Sequence, residues 1–372
     1  MKCWKVVWLV SVILSWAQVS WAGPGKLRLL VVESYHREYL WSQASQRGFC
    51  AAMLKFGYLD NQAQVGSFAA NDQVESSRAI TQRLWMDTKR YSSRSQMAEA
   101  AIKATRAIGE FHPDLIFLSG DNATNYIGNQ FLDTEIPVIF WGVAGWPMKY
   151  GLLDSIQEPG HNVTGIWQSG YSRESLGFLH QLVPHAKTFA ILACDSDATR
   201  AKVKEIEALD REHGLSMRLV DVVTTNSYPE FKHRALELAE QVDAFFVLNH
   251  DTLKDENDVH VDMLTVGRWY LEHIHKPETS DERQFVDEGM LCAADDSGFN
   301  QAFEAVTMAV EILEHHVSPG RLPPRTPQRG PLLVNRQRAE MLGVALEPWM
   351  ETIEELIERS VALQATVEGP GR

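Results

Sequence analysis

Small polar, acidic and aromatic residues cluster directly after five apolar runs of the sequence. The clusters are Ser34-Tyr35-His36, Ser119-Gly120-Asp121-Asn122-Ala123-Thr124, Trp141-Gly142-Val143, Cys194-Asp195-Ser196-Asp197 and Asn249-His250-Asp251-Thr252. Hydroxyl and amide groups such as those of Ser34, Asn122 and Thr124 donate hydrogen bonds beside a helix start, where free backbone N–H groups bind a carboxylate. An aspartate pairs with an ammonium group, and Tyr35 or Trp141 stacks on a flat or apolar group. These residue types indicate non-covalent capture of a small molecule.

Each of these residues also has a purely structural interpretation. Ser, Asn and Asp are common at helix N-caps, so for any single one capping explains the residue as well as ligand binding does. The collection over several strand ends, rather than any one member, supports a binding site.

The sequence lacks the common catalytic and cofactor motifs. It contains no GxGxxG after a strand, no GxxxxGK[ST] and no GxSxG. His273 and His275 lie two apart, so on a helix they point to different faces. The acidic run 255–258 lacks the Gly and the terminal Glu of a calcium-binding loop. We predict no catalytic residue, no metal and no cofactor, and the alternative is an exported two-lobed α/β transferase with His36 or His250 as its base.

The apolar runs that precede the polar clusters alternate with amphipathic stretches. The pattern predicts strands at 27–32, 114–118, 136–141, 188–193, 217–223 and 244–248, with a weaker one at 64–68. It predicts helices at 43–56, 96–111, 201–213, 231–242, 299–315 and 347–363. Such alternation is typical of parallel sheets covered by helices on both faces, with ligands bound beyond the carboxyl ends of the strands.

Two successive sets of these elements predict an α/β protein with two doubly wound parallel-sheet lobes. The elements after residue 289 are too few for a third domain, so we expect the chain to cross between the lobes more than once, through a hinge. The predicted first lobe comprises residues 26–143 and about 290–330. The predicted second lobe comprises residues 144–289 and about 331–365.

Composition and charge restrict the partners and the compartment. The chain has 372 residues and a formal charge of −14, which argues against nucleic acid and anionic lipid as partners. Lys2, Lys5, an apolar run and Ser20-Trp21-Ala22 predict a cleavable signal peptide over residues 1–22, with an uncleaved anchor as the alternative. Its removal takes two lysines and no acid, so the charge becomes −16. We expect a periplasmic protein whose Cys50, Cys194 and Cys292 are buried thiols, although one disulfide with a free thiol is possible.

Several segments resemble the ABC-transporter substrate-binding protein family that includes tryptophan-binding members. The segments are 114–116, 136–138, 150–152, 182–187, 242–244 and 333–344, and above all Asn162-Val163-Thr164-Gly165. Ser34-Tyr35-His36, Met86-Asp87-Thr88-Lys89-Arg90 and Asp121-Asn122-Ala123 resemble the branch often linked to bacterial signalling. The resemblance covers roughly residues 26 to 360.

The resemblance implies a periplasmic binding fold of type I with three crossing segments, and it implies site residues. Gly120-Asp121-Asn122-Ala123 matches a family turn in which Asp121 replaces a hydroxyl, and an acid there repels a ligand carboxylate unless it is protonated or paired. Trp141 and Gly142 are expected to line the same pocket. The second lobe is expected to contribute Asp195, Ser196, Asn249 and Asp251. Asp295 and Asp296, near the last crossing, either reach the pocket or brace the hinge.

The resemblance also implies a function, that of a solute-binding protein of an ABC-type importer. Such a monomeric protein closes over a small polar ligand, and the expected ligand here is an amino acid or an aromatic compound. Its closed form is recognised by a membrane permease, or by a membrane sensor in the alternative.

Overall fold

The computed structural model describes residues 25–364. The strands are β1 Leu27–Glu33, β2 Gln73–Glu75, β3 Ala79–Trp85, β4 Leu115–Ser119, β5 Val138–Val143, β6 Val163–Trp167, β7 Thr188–Ala193, β8 Arg218–Thr224, β9 Ala244–Val247, β10 Glu278–Ser280, β11 Cys292–Ala294, β12 Leu332–Asn335 and β13 Glu355–Ile357. The helices are α1 Leu40–Lys55, α2 Gln62–Asn71, α3 Arg94–Phe111, α4 Gly120–Gly128, α5 Ser172–Leu182, α6 Asp197–Arg211, α7 Tyr228–Ala239, α8 Met263–His273, α9 Arg283–Glu288, α10 Gly298–Leu313, α11 Arg336–Leu342 and α12 Val361–Gln364.

The first sheet has the strand order β2-β3-β1-β4-β5-β6 and is parallel except for β2. On its central strand β1, Leu29 and Val31 pack with α1 and α10, while Leu30 and Val32 pack with α3 and α4 on the opposite face. A strand buried on both faces has apolar residues at successive positions, which is why 29–32 is a continuous apolar run.

The second sheet has the order β13-β12-β11-β10-β9-β7-β8, and the only antiparallel pair among its ladders is β11 with β12. One face packs on α5 and α6, and the other packs on α7 and α8. The two sheets and their helices form two α/β lobes, as predicted.

The chain passes between the two lobes three times. The crossing segments are residues 168–171, 295–297 and 326–331, and together we call them the hinge. Ile166 forms a parallel bridge with Arg325, so the first and third crossings leave the first lobe side by side. This arrangement agrees with the multiple crossings that the resemblance implied.

Sheet membership differs from the predicted lobe boundaries at two places. β6 belongs to the first sheet, although it lies beyond the predicted boundary at 143, and β11 belongs to the second sheet, although it lies beyond the boundary at 289. Both strands are short and begin or end close to a crossing, so composition alone does not mark them.

Two predicted elements are wrong. Residues 64–68 lie in α2, which Asn61 caps by accepting a hydrogen bond from the Gln64 N–H. The predicted helix at 347–363 is instead a short 3-10 turn, the edge strand β13 and α12. β13 pairs with β12, so tertiary pairing overrides the helical pattern there. The predicted signal peptide lies outside the described residues, and between 25 and 364 no helix has the length and apolarity to cross a membrane.

Candidate functional site

The loops at the carboxyl ends of the strands in both lobes meet at one gap. Three hydrogen bonds or ion pairs join the lobes directly: Tyr39 to Asp251, Lys89 to Asp251 and Asn249 to Tyr39. In addition, Gln168 of the first crossing donates to Glu282. This is the position at which open parallel sheets bind ligands. The gap between the lobes is therefore the candidate site.

Asp251 is the centre of the contacts between the lobes. Its carboxylate lies 2.8 Å from the Lys89 ammonium and accepts hydrogen bonds from the Tyr39 hydroxyl and, at 3.2 Å, from the Asn249 amide. We call Tyr39, Lys89, Asn249 and Asp251 the interlobe cluster. Tyr39 and Lys89 belong to the first lobe, whereas Asn249 and Asp251 follow β9 of the second.

The ion pair keeps both of its members charged although both are buried. Burial alone would raise the pKa of Asp251, but the Lys89 ammonium and the hydrogen bonds from Lys89 and Tyr39 together outweigh burial and hold this pKa below its ordinary value. Burial alone would lower the pKa of Lys89, but the Asp251 carboxylate raises it above its ordinary value. Burial, followed by the Asp251 charge, also raises the pKa of the Tyr39 hydroxyl, so Tyr39 donates its proton to the carboxylate.

Three aromatic rings from one short segment line the first-lobe side of the gap. The ring centroids of Tyr35 and Tyr39 are 5.1 Å apart, and those of Tyr35 and Trp41 are 5.9 Å apart, both edge to face. A cavity of about 10 Å³ lies beneath them, with both lobes on its wall: Tyr35, Tyr39, Trp41, Asp121, Gly142, Gln168, Ala198, Asn249, Glu282 and Gln284. Tyr35 is among the residues predicted from sequence, whereas Tyr39 and Trp41 are not. The signal for these two was the spacing of aromatic residues just after β1.

Asp121 lies at the gap, and its charge is compensated. Its carboxylate is 2.6 Å from the Lys149 ammonium, and it accepts hydrogen bonds from the Tyr150 hydroxyl at 2.6 Å and the Ala144 N–H at 3.2 Å. Lys149 and Tyr150 belong to the short turn Pro147–Tyr150 after β5. Of the two options considered from sequence, a protonated or a paired Asp121, the structure shows Asp121 paired with Lys149.

Ser34 and Ala123 form a hydrogen bond with each other at the start of α4. The Ser34 hydroxyl accepts the Ala123 N–H at 2.7 Å and donates to the Ser119 carbonyl at 2.5 Å. Gly120, between them, has φ +80°, and a Cβ there would lie 2.9 Å from the Ser34 hydroxyl, so glycine is required. These two predicted ligand residues therefore act inside the protein as the cap of α4, and Asn122 likewise donates to Thr88 at 2.8 Å.

Asp195 and Ser196 lie at the rim of the gap rather than at its centre. They line a pocket of about 260 Å³ together with Lys89, Asn122 and Thr252. Asp195 pairs with Arg200, and the Ser196 hydroxyl accepts the Thr199 N–H as the N-cap of α6.

The side chain of Trp141 does not face the gap, which corrects the expectation that it lines the pocket. Its ring is fully buried in the core of the first lobe, stacked on Phe49 and tilted against Phe117 at centroid distances of 5.8 and 5.9 Å. Alternate residues of a strand face opposite sides of the sheet, and Trp141 faces α1. Trp41, from the start of α1, holds the position expected for Trp141.

Gly142, the residue after Trp141, does line the small cavity. It has φ +71°, and a Cβ there would lie 2.3 Å from the Trp41 ring. Its N–H donates to the Gln301 side chain at 3.0 Å, which connects the end of β5 to α10.

Asp295 and Asp296 lie in the second crossing and brace the hinge through hydrogen bonds. From sequence, they were expected either to do this or to reach the pocket. Asp295 accepts the Arg283 N–H at 2.8 Å, and Asp296 accepts the Gly170 N–H at 3.0 Å and a Gln301 amide hydrogen at 3.0 Å. Burial raises the pKa of Asp295 to about 7 and holds the pKa of Asp296 well above its ordinary value.

An acidic group that the sequence analysis missed lies beside the hinge on the second lobe. The buried Lys202 ammonium is 2.9 Å from Asp281 and 2.6 Å from Glu282, and Glu282 reaches the small cavity. Burial raises the pKa of Asp281, and the neighbouring Glu282 charge adds to that shift. Nothing in the local sequence around Asp281 marks it, because Lys202 lies on another element.

The other chemistry considered from sequence has structural explanations. His250 is buried, bonded to Glu288 at 2.7 Å and to the Leu248 carbonyl at 3.0 Å, and His36 lies 3.3 Å from Asp87. Among residues 25–364 no group of three or more His, Cys, Asp or Glu side chains is arranged to hold a metal ion. Cys50, Cys194 and Cys292 are free and buried.

Two α/β lobes, three crossings and a shared gap define a solute-binding protein with the periplasmic binding fold. A family model described as "ABC transporter substrate binding protein" matches residues 83–353, and the chain belongs to this family. Members of this family are solute-binding proteins rather than enzymes.

Similar solved structures come from three bacteria. An ABC domain in complex with L-Trp from Streptococcus pneumonia is 17% identical, with a TM-score of 0.67, and the match covers 90% of this chain and 100% of that chain. A conserved domain protein from Vibrio cholerae is 15% identical, with a TM-score of 0.69 and coverage of 89% and 100%. The ligand-free, open CD0873, a substrate binding protein with adhesive properties from Clostridium difficile, is 19% identical, with a TM-score of 0.61 and coverage of 90% and 99%. No curated protein gives a significant match.

Proposed function

We propose that this chain is the periplasmic solute-binding protein of an ABC-type importer and that it captures a small amphoteric ligand, such as an amino acid, between its lobes. The observation that carries the proposal is the meeting of both lobes at Asp251, beside three aromatic rings. Membership of the substrate-binding family supports the same function.

Charge at the gap favours a ligand that carries an ammonium group. The Glu282 carboxylate, which pairs with the buried Lys202 ammonium, reaches the cavity wall, and Asp251 lies where the two lobes meet. The aromatic rings of Tyr35, Tyr39 and Trp41 provide flat surfaces for an apolar part of the ligand and for a cation. Asp251 and Glu282 are the residues that we assign to the ligand ammonium.

A ligand carboxylate has a binding position at the start of α6. Ala198, in the first turn of this 15-residue helix, lies on the wall of both the small cavity and the rim pocket. Backbone N–H groups in the first turn of a helix bind anions. An amino acid would then span the gap, with its ammonium at Asp251 and its carboxylate at α6.

Closure of the lobes about the hinge completes this site, because Tyr35, Tyr39 and Trp41 belong to one lobe and Asn249, Asp251 and Ala198 to the other. A ligand that touches both lobes binds the closed form more tightly and shifts the population toward it. A membrane permease then recognises the closed monomer. A membrane sensor would read the same closed form, and either partner is consistent with export by the predicted signal peptide.

A thermal-shift screen with the amino acids tests the proposed ligand class. A ligand at about 100 times its dissociation constant adds roughly 2.7 kcal/mol to the free energy of unfolding, so at least one amino acid should raise the melting temperature clearly. Native mass spectrometry of the freshly purified protein should detect the same molecule, recovered with unchanged mass. If no amino acid stabilises the protein, the ligand class is wrong.

A further inference from the structure

We propose that Lys89 occupies an ammonium-binding cage and that the ligand enters this cage by displacing Lys89. The cage consists of Tyr35, Tyr39 and Asp251, and the ligand class it selects is a primary ammonium compound. This inference rests on the proposed function for its setting, because it assigns part of the same interlobe site.

The three members of the cage surround the Lys89 ammonium in the way a protein recognises a cation. The nitrogen lies 4.3 Å from the Tyr35 ring centroid and 5.3 Å from the Tyr39 ring centroid, and it is 2.9 Å from Oδ1 and 2.8 Å from Oδ2 of Asp251. Cations within about 6 Å of an aromatic centroid are attracted by the ring quadrupole, most strongly when they are desolvated. Lys89 is only 3% exposed.

A second buried lysine, Lys202, shows that such a cage is not needed to bury an ammonium group. Lys202 is held by two carboxylates, Asp281 and Glu282, from its own lobe. Lys89 instead has two rings from its own lobe and a carboxylate from the other lobe. Its site therefore has the composition of a cation-binding site, whereas the Lys202 site is an ordinary internal ion-pair network.

Asp251 leaves no place for a second ammonium while Lys89 is bound. Its Oδ2 accepts from Tyr39 and Asn249, and its Oδ1 accepts from Lys89 and, at 3.7 Å, from the Cys194 thiol. A carboxylate offers about four acceptor positions, so a ligand ammonium must replace the lysine.

A displaced Lys89 ammonium group can move into the adjacent rim pocket. Lys89 lines the rim pocket of about 260 Å³, whose wall also carries the carboxylates of Asp195 and Asp197. A lysine has a flexible four-carbon stem that can reach such a position while its ammonium becomes hydrated. The tethered lysine competes with the ligand at a high effective concentration and lowers the apparent affinity.

Chemical rescue with n-butylammonium chloride tests the cage directly. Lys89→Ala leaves Asp251 and the two rings without a cation, and n-butylammonium at about tenfold excess over its dissociation constant should raise the melting temperature of this variant by about 3 °C. The wild-type protein, in which Lys89 fills the cage, should show no such shift. Neither n-butanol nor an equal concentration of sodium chloride should stabilise Lys89→Ala.

The double variant Lys89→Ala/Asp251→Asn is the matched control, because it keeps the cavity and removes the charge that binds the ammonium. It should lose the rescue, and a rescue that persists in it contradicts the proposal. If Lys89→Ala does not fold, Lys89→Gln replaces it, since its neutral side chain is displaced more easily than an ammonium group. Absence of any shift in the variant that folds overturns the proposal.

The outcomes separate this inference from the proposed function. A rescue by n-butylammonium without any hit among the amino acids supports the cage and removes the amino-acid ligand. A stabilising amino acid without the rescue keeps the proposed function and removes the cage. For any such amino acid, Lys89→Gln should bind about tenfold more tightly than the wild type, because the internal competitor is gone.

Discussion

Asp251 and the residues around it carry the chemistry that joins the two lobes. Its carboxylate accepts hydrogen bonds from the Tyr39 hydroxyl and the Lys89 ammonium of the first lobe. These two residues lie 212 and 162 positions away from Asp251 in the sequence. Breaking a buried ion pair by removing one partner costs about 3–5 kcal/mol when the other charge stays buried. Here separation of the lobes can hydrate Lys89, so the cost falls on closure more than on the fold of either lobe.

We predict that Asp251→Asn weakens binding of an ammonium ligand by at least about tenfold while the lobes stay folded. The amide keeps the size of the side chain and removes the charge that pairs with the ligand. Isothermal titration calorimetry measures the affinity, and near-ultraviolet circular dichroism checks the fold. A variant that has lost its near-ultraviolet signal at 25 °C would show that Asp251 has a structural role instead.

Substitution of Trp41, at the gap, and of Trp141, in the core of the first lobe, should have different effects on affinity and stability. Trp141→Phe, within the aromatic core with Phe49 and Phe117, should lower the free energy of unfolding by about 1–3 kcal/mol and leave ligand affinity unchanged. Trp41→Phe, at the cavity wall, should change the affinity more than the stability. Denaturant unfolding and calorimetry on both variants provide the comparison, and equal effects on affinity would contradict it.

At the scale of elements, the end of β5 and the hinge position the site. Gly142 brings its backbone against the Trp41 ring, and Gln301 on α10 connects the Gly142 N–H to Asp296 at the second crossing. A strand end, a helix and a hinge segment are therefore linked by hydrogen bonds beside the cavity wall.

Gly142→Ala should destabilise the protein by about 1–3 kcal/mol, because its Cβ would lie 2.3 Å from the Trp41 ring and φ is +71°. Gly109→Ala is the matched control. It lies within α3 with no atom within 4 Å of the added Cβ, so it should stabilise by about 0.4–1 kcal/mol. Urea denaturation measures both, and a neutral Gly142→Ala would mean that the close approach to Trp41 is relieved without cost.

The hinge acid Asp295 should make stability depend on pH. Its pKa is about 7 in the folded protein, against an ordinary value of 3.8, and the charged groups nearest to it are Arg283 and Glu282. Between pH 3.8 and about 7 the folded chain holds a proton that the unfolded chain has released. The contribution of Asp295 to the free energy of unfolding therefore falls as pH rises through this window, by at most about 1.4 kcal/mol per pH unit.

Asp295→Asn removes this titration, and its amide oxygen can still accept the Arg283 N–H. The stability of the variant relative to the wild type should therefore increase from pH 5 to pH 7 and stay constant above it. Urea denaturation at several pH values measures the difference, which also cancels the titration of other groups such as Glu205, whose pKa burial raises to about 7. A difference that is independent of pH would show that Asp295 stays charged throughout.

At the scale of the whole molecule, the interlobe cluster and the hinge determine how far the two lobes stand apart. Three crossings let the lobes rotate about the hinge while each keeps its own sheet and core. The Tyr39 and Lys89 contacts with Asp251 join the two lobes directly, so their removal should open the molecule without unfolding it.

We predict that the double variant Tyr39→Phe/Lys89→Met opens the lobes. A compact chain of this size has a radius of gyration of about 20 Å, and separation of the lobes should increase it by about 1 Å. Small-angle X-ray scattering measures the increase, and the wild-type protein under the same conditions is the reference. An unchanged scattering curve would show that other contacts suffice to keep the lobes closed.

The sequence by itself predicted six of the strands, several of the helices and the strand ends that form the candidate site. Continuous apolar runs such as that of β1 mark strands buried on both faces, and the polar residues after them mark the loops that meet at the gap. Asp251 and Tyr35 follow from this local logic, because the carboxyl end of a parallel strand needs only the strand to be located. The predictions for residues 64–68 and 347–363 were wrong, because the N-cap at Asn61 and the pairing of β13 with β12 outweigh the local sequence pattern.

The tertiary structure alone decided which side chains meet in the gap. A strand buried on both faces has no alternation of polar and apolar residues, so its sequence does not indicate on which face of the sheet the Trp141 side chain lies. In the structure, Trp141 is buried in the core of the first lobe, and Trp41 lines the cavity. Likewise, Lys89 pairs with Asp251 and Lys149 with Asp121 only because the folded chain brings distant or turn-borne charges within hydrogen-bonding distance. Ion pairing acts over a few ångströms in space and leaves no periodic signal along the chain, so these partners became visible only when the two lobes were packed together.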